Sequence, residues 1–179
     1  MDVSRRTMLQ LAGVALLPAD AWTTEAHRRV NAAPPNFLRA DERAIIAAIA
    51  DAIIPRTDTP GALDVAAPAF VELIVAEWVS DADREAFRRG IVELDVHAVA
   101  THGASWPALT LEQRMAEIAW AEESASTPTL GQRAFRRLKG WTVHGWMSSR
   151  RVQREVLKTD IVPGRFDGCA PVARAGGED

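Results

Sequence analysis

Residues 40–62 read Ala-Asp-Glu-Arg-Ala-Ile-Ile-Ala-Ala-Ile-Ala-Asp-Ala-Ile-Ile-Pro-Arg-Thr-Asp-Thr-Pro-Gly-Ala. Ile45, Ile49 and Ile53 recur on one stripe with Ile46 and Ala50 beside them, the 3.6-residue period of a helix that buries one face. Pro55 ends that helix, because it has no N–H to donate and its ring clashes with the preceding turn. The next eight residues, 55–62, are dense in turn formers. Thr57, Asp58 and Thr59 are suited to bonding the backbone N–H groups left free at the start of a following helix. A helix, a hard stop and a tight re-entry are therefore predicted in 23 residues.

The same period continues outward. A second helix is predicted over 65–79, with Pro68 in its first turn and Phe70, Leu73, Ile74 and Trp78 on its apolar stripe. Ser80 or Asp81 can cap a third, which carries Phe87, Ile91, Leu94 and Ala98 and stops at Gly103. Thr110-Leu111-Glu112-Gln113 is a capping box for a fourth, with Met115, Ile118 and Ala119 facing inward. A fifth runs from about 130 to 146, and a short one follows over 152–157. From Pro163 the tail is rich in Gly and Pro and reads as extended. The expectation is an all-α orthogonal bundle of five to six helices forming one domain over 40–179.

Bulk properties agree with one soluble domain. The chain has 179 residues, 47% hydrophobic and 25% charged, with a formal net charge of −3. That balance gives no global reason to expect nucleic acid. Cys169 is the only cysteine, so an internal disulfide is impossible; it is a free thiol or a pairing point for another chain.

Residues 1–21 read as an address. Arg5 and Arg6 precede a short apolar stretch over 11–17, then Pro18 and the small-x-small triplet Ala19-Asp20-Ala21. The apolar stretch is far below the ~20 residues of a membrane-spanning helix. Weak hydrophobicity behind paired arginines resembles a twin-arginine export signal, with Met8 and Gln10 departing from its commonest form. This predicts a periplasmic protein. Residues 22–39, polar and closing on Pro34-Pro35, read as a linker.

Chemistry is sparse. No dinucleotide fingerprint, phosphate loop or nucleophile elbow occurs. His97 and His102 are five apart, about 140° around a helix, which does not make an i, i+4 metal pair; they read as capped or surface imidazoles. His27 falls in the linker and His144 on the fifth helix. No catalytic, cofactor-binding or metal-ligating residue is assigned. Six tryptophans and no tyrosine stand out. Trp141 and Trp146 lie in a basic stretch, 133–165, with a net charge of +7 against −10 for the rest of the chain. Tryptophan and arginine are enriched at interface hot spots, and such asymmetry steers partners. Trp141, Trp146, Arg150, Arg151, Phe166 and Cys169 are the candidate partner interface.

Two stretches carry a family resemblance. Residues 50–55, Ala-Asp-Ala-Ile-Ile-Pro, and 57–62, Thr-Asp-Thr-Pro-Gly-Ala, are similar to the hallmark of the gluconate 2-dehydrogenase subunit 3 family. Phe135, Leu138-Lys139, Thr142, Gly145, Ser148-Ser149 and residues 162–169, Val-Pro-Gly-Arg-Phe-Asp-Gly-Cys, resemble its C-terminal pattern. Arg39 stands where members often have a capping Thr, and Trp146 and Phe166 where Tyr is frequent. The resemblance implies a non-catalytic small subunit that carries the export signal and supports folding of a large FAD-dependent dehydrogenase acting on a sugar, sugar acid, polyol or glycoside. It also implies a cytochrome c subunit, with haem c, as electron acceptor, no cofactor in this chain, and membrane contact only through the complex. The competing readings are a stand-alone periplasmic metal-dependent enzyme and a homo-oligomeric structural protein.

The twin-arginine reading has a direct test. Changing Arg5 and Arg6 together to Lys keeps the charge but removes the guanidinium groups, and cell fractionation should then find no mature chain in the periplasm. Normal export of that double variant rules the route out.

Overall fold

The computed structural model describes residues 19–32, 36–123 and 126–158. Seven α-helices follow one another: α1 (Ala19–Ala32), α2 (Ala40–Ile53), α3 (Ala67–Glu77), α4 (Asp81–His102), α5 (Leu111–Glu122), α6 (Leu130–Ser148) and α7 (Arg150–Glu155). Single 3₁₀ turns occupy Leu63–Val65 and Trp106–Ala108. No strand occurs among the described residues. The all-α expectation holds.

The apolar stripes read from the sequence meet at one core. Ile45, Ile46 and Ile49 of α2 pack with Val71 and Val75 of α3, Phe87, Ile91, Leu94 and Ala98 of α4, and Phe135 and Leu138 of α6, with Trp106 beneath them. The closest pairing is α4 on α6. It depends on Gly90: a Cβ there would lie 2.6 Å from the Leu130 carbonyl oxygen and collide with the Ala134 methyl. Gly145, further along α6, likewise lies flat against Phe70, whose Cδ1 would be 2.8 Å from an added Cβ.

Local signals set the helix ends. Ser80 Oγ accepts from Asp83 N (3.2 Å), and Gly103 closes α4 at φ 73°, a left-handed turn that glycine adopts without strain. Thr110 and Gln113 form a capping box at α5, and Thr129 and Gln132 another at α6. Arg39 offers no side-chain cap to α2, yet Glu42 returns half of the box by accepting from Arg39 N at 2.8 Å. The short helix starts at Arg150, two residues earlier than expected, because Ser149 Oγ caps it at Val152 N (3.3 Å).

Three expectations need correction. The linker expected over 22–39 is helical up to Ala32. Thr23, Ala26 and Val30 are buried, and Ala26 and Val30 pack against Phe70, Leu73 and Ile74 of α3. The charged residues stand outside, Arg28 on Glu25 and Arg29 on Glu77, so the segment looks polar while its small apolar residues do the packing. Trp78, placed on a core stripe, is 47% exposed, because α3 ends at Glu77. Met115 and Ala119, expected inward, are both exposed, Met115 at 52%, and α5 buries Glu117 and Ala121 instead. A sequence stripe weights Met above Glu, whereas here two histidines wait for the carboxylate.

Paired glycine substitutions test the packing. Gly90→Ala should lower stability by about 1–3 kcal/mol through overpacking. Gly140→Ala, with nothing within 4 Å of its Cβ, should raise it by about 0.5–1 kcal/mol, since glycine is a poor helix former. Thermal melts of the two variants should therefore move in opposite directions.

Candidate functional site

The loop 54–66 is built on backbone contacts. Ala62 N donates to the Ile54 carbonyl (2.8 Å), and Gly61 N to Asp64 Oδ2 (2.9 Å). A Cβ on Gly61 would be 2.7 Å from Arg56 N, so only glycine lets the two arms approach this closely. The ring N–H of Trp146, reaching over from α6, donates to the Pro60 carbonyl at 2.7 Å. Ala62 and Ala67 are buried with Ala50 behind the loop, and Ala66 takes a left-handed conformation, φ 54°, before α3 begins. Arg56, Thr57 and Asp58 form an exposed tip. Thr57 Oγ1 donates to Asp58 Oδ1 (3.0 Å) and accepts from Thr59 N (3.3 Å). The expectation that these three residues cap the next helix is thus corrected. They bond one another, and Asp64 caps the turn, because the 3₁₀ turn separates the tip from α3.

The two tryptophans of the candidate interface are each half-buried and engaged within the chain. Trp141 packs on both apolar clusters, its ring 5.4 Å from Phe87. Trp146 holds the loop. Arg150 and Arg151 lie exposed on α7, Arg151 paired with Glu155 (3.0 Å). Ala19 and Ala21 lie in the first turn of α1. Arg5, Arg6, Phe166 and Cys169 lie outside the described residues, as does the expected extended tail.

Around α7 a groove of about 480 Å³ opens between α1, the 63–66 turn and α7. Its walls include Leu63 and Val65, His27 and Asn31, and Arg150, Arg151 and Arg154. Leu63, half-exposed, and the arginines give it an apolar floor and a basic rim. A second cavity of about 490 Å³ lies over Leu38, Ile46 and Pro68. Its carboxylate, Glu72, is already committed: it accepts from Phe37 N (2.6 Å), Leu38 N (2.7 Å) and Arg43 Nε (2.9 Å). That hydrogen bond, with the opposite charge, raises the Arg43 guanidinium above its ordinary value despite some desolvation.

His97 and His102, five residues apart on α4, converge on one carboxylate. Both face Glu117 of α5, which is 2% exposed. His97 Nδ1 is hydrogen-bonded to Oε2 at 2.8 Å. His102 Nε2 lies 3.0 Å from Oε1, close enough for an ion pair but off the hydrogen-bond axis. The His97 ring stacks on Trp120, centroids 3.6 Å apart. The surface-imidazole reading is therefore replaced: a carboxylate from a neighbouring helix fits between two side chains that diverge around α4. The available signal was Glu117 standing beside Ile118 and Ala121 on the face α5 turns inward. Among the described residues no group of three His, Cys, Asp or Glu is arranged to hold a metal ion, and no helix is long and apolar enough to cross a membrane.

The described residues thus form a helical domain whose buried polar groups join one helix to another and whose open features are a tryptophan-clamped loop and a groove lined by arginines. Residues 40–164 match the family model of gluconate 2-dehydrogenase subunit 3. The chain belongs to that family. No curated protein and no solved structure matches it.

The loop clamp is testable by a change that keeps an aromatic side chain but removes the N–H. Trp146→Phe deletes the bond to Pro60 together with part of the packed ring and should cost about 1–3 kcal/mol while speeding amide exchange at Gly61 and Ala62. Unchanged exchange there would show that the loop holds without the indole N–H.

Proposed function

We propose that the chain is the non-catalytic small subunit of a periplasmic, flavin-dependent sugar, sugar-acid, polyol or glycoside dehydrogenase, exported by the twin-arginine route together with its folded catalytic partner. FAD belongs to the larger subunit and haem c to a cytochrome subunit. Membership of the gluconate 2-dehydrogenase subunit 3 family over 40–164 is the observation that carries this reading. The arrangement of side chains supports it. The buried carboxylates Glu42, Glu72 and Glu117 join helices to one another, and the residues turned outward suit a protein surface better than a small substrate.

The face we assign to the partner runs from the exposed part of Trp146 to Arg150 and Arg151, with Phe166 and Cys169 following in the chain. Met147 and Leu157, both exposed beside this basic stretch, add apolar area to it. Interfaces favour this mixture, arginine and methionine around a partly buried aromatic. A bound large subunit would cover these groups and gain a compact, already folded surface, which limits the ordering cost of association.

Export and folding support are separable experimentally. The catalytic flavoprotein produced without this chain should remain in the cytoplasm and lose most of its activity. Fusing residues 1–21 directly to it should return export but not full activity, since its docking surface would still face water. A flavoprotein exported and fully active with no help at all overturns the accessory role.

A further inference from the structure

We propose that α1 is an acid-releasable clasp: its docking on α3 and α6 is held by one imidazole, His27, stacked on the former and hydrogen-bonded to the latter. The inference stands apart from the accessory-subunit reading and concerns only this chain. His27 projects from the middle of the buried face of α1. Its ring stacks on Phe70 of α3, centroids 4.8 Å apart and planes 25° apart. Its Nε2 shares a hydrogen bond with Ser148 Oγ of α6 at 3.0 Å. One side chain thus ties α1 to both helices beneath it. Beside it Ala26 and Val30 pack against α3, and Arg29 bridges to Glu77 on the exposed side.

The charges around His27 do not welcome a proton. On α6 the facing titratable group is His144, whose ring is 6.0 Å from that of Phe70. On α3 it is Glu77, occupied by Arg29. The 63–66 turn brings Asp64, occupied by Arg56 (3.1 Å). From α7 come Arg150, Arg151 and Arg154, with Glu155 paired to Arg151. On α1 itself, Glu25 is taken by Arg28. No carboxylate is hydrogen-bonded to the imidazole: its partners are a hydroxyl, a backbone group at Gly145 and an aromatic ring. Burial above all, and the neighbouring His144 to a lesser degree, hold the imidazole below its ordinary value; the hydrogen bond at Gly145 opposes them only in part.

The sign follows from linkage. Released α1 exposes His27, which then binds a proton as an ordinary histidine does, at about pH 6.5. Docked α1 binds that proton less readily, so the docked state is favoured fully above that pH. Its advantage is lost as pH falls from there through the docked value. Release uncovers Phe70, Leu73 and Ile74 on α3, an apolar surface that α1 covers at neutral pH.

Hydrogen exchange on the full chain tests this, with α4 amides as an internal reference and rates corrected for intrinsic pH dependence. Between pH 7.5 and 5.5, protection of the α1 amides should fall relative to α4, by at most about tenfold per pH unit for one proton. His27→Gln should abolish that pH dependence, and His144→Gln should leave most of it. In parallel, an NMR titration should place the His27 midpoint below that of a free histidine. Constant α1 protection over this range, a fall of the same size in His27→Gln, or a His27 midpoint at or above the free value each overturns the proposal.

Discussion

The contact between α4 and α6 at Gly90 is the constraint on which the rest of the structure depends. Two helix backbones approach closely only where one of them carries no Cβ, and here Leu130 and Ala134 fill the space a side chain would need. Once the two longest helices are set at that distance, Phe87, Ile91 and Leu94 reach Phe135 and Leu138. The isoleucine stripe of α2 then closes the core. Gly145 repeats the device at the other end of α6, where Phe70 lies against the bare backbone and also stacks with His27. Helix α6 therefore fixes three neighbours: α4 through Gly90, α3 through Gly145, and the 54–66 loop through Trp146.

Buried carboxylates complete what apolar packing leaves open. Glu42 accepts from Arg39 N at the start of α2 and pairs with Arg88 of α4 (3.0 Å). Glu72 gathers Phe37 N, Leu38 N and Arg43. Glu117 takes His97 and His102. At the end of α3, Arg84 donates to the Val75 and Ala76 carbonyls (3.0 and 2.8 Å), groups a helix terminus otherwise leaves unpaired. Removing one partner of such a pair costs much more than the pair itself contributes, because the remaining charge stays buried. These groups are better read as devices that fix helix register than as remnants of a reaction site.

Most of the fold could be read from residue spacing. The stripes of α2, α3 and α4, the serine cap at Ser80, the glycine stop at Gly103 and the capping box at Thr110 all act locally, within one turn of chain. What escaped depends on contacts distant in sequence. Helix α1 is hard to read because its buried face offers Thr23, Ala26, His27 and a single strongly apolar residue, Val30, too weak a stripe until Phe70 is brought beneath it. Glu117 was overlooked for Met115 because a hydrophobic pattern does not anticipate two imidazoles twenty and fifteen positions earlier. Trp146 stands out in the sequence, and its N–H serves a carbonyl 86 residues away, a pairing no local pattern contains. The family, in contrast, was legible in residues 50–62, where the helix stop and the Gly61 approach leave little freedom in residue choice.

We propose that this chain works by binding another, through its clamped loop and basic face. Native mass spectrometry of the complex purified from periplasm tests that claim most directly. The account predicts a hetero-oligomer in which this chain carries no added mass and a larger chain carries one flavin. A homo-oligomer of this chain with its own dehydrogenase turnover would contradict it.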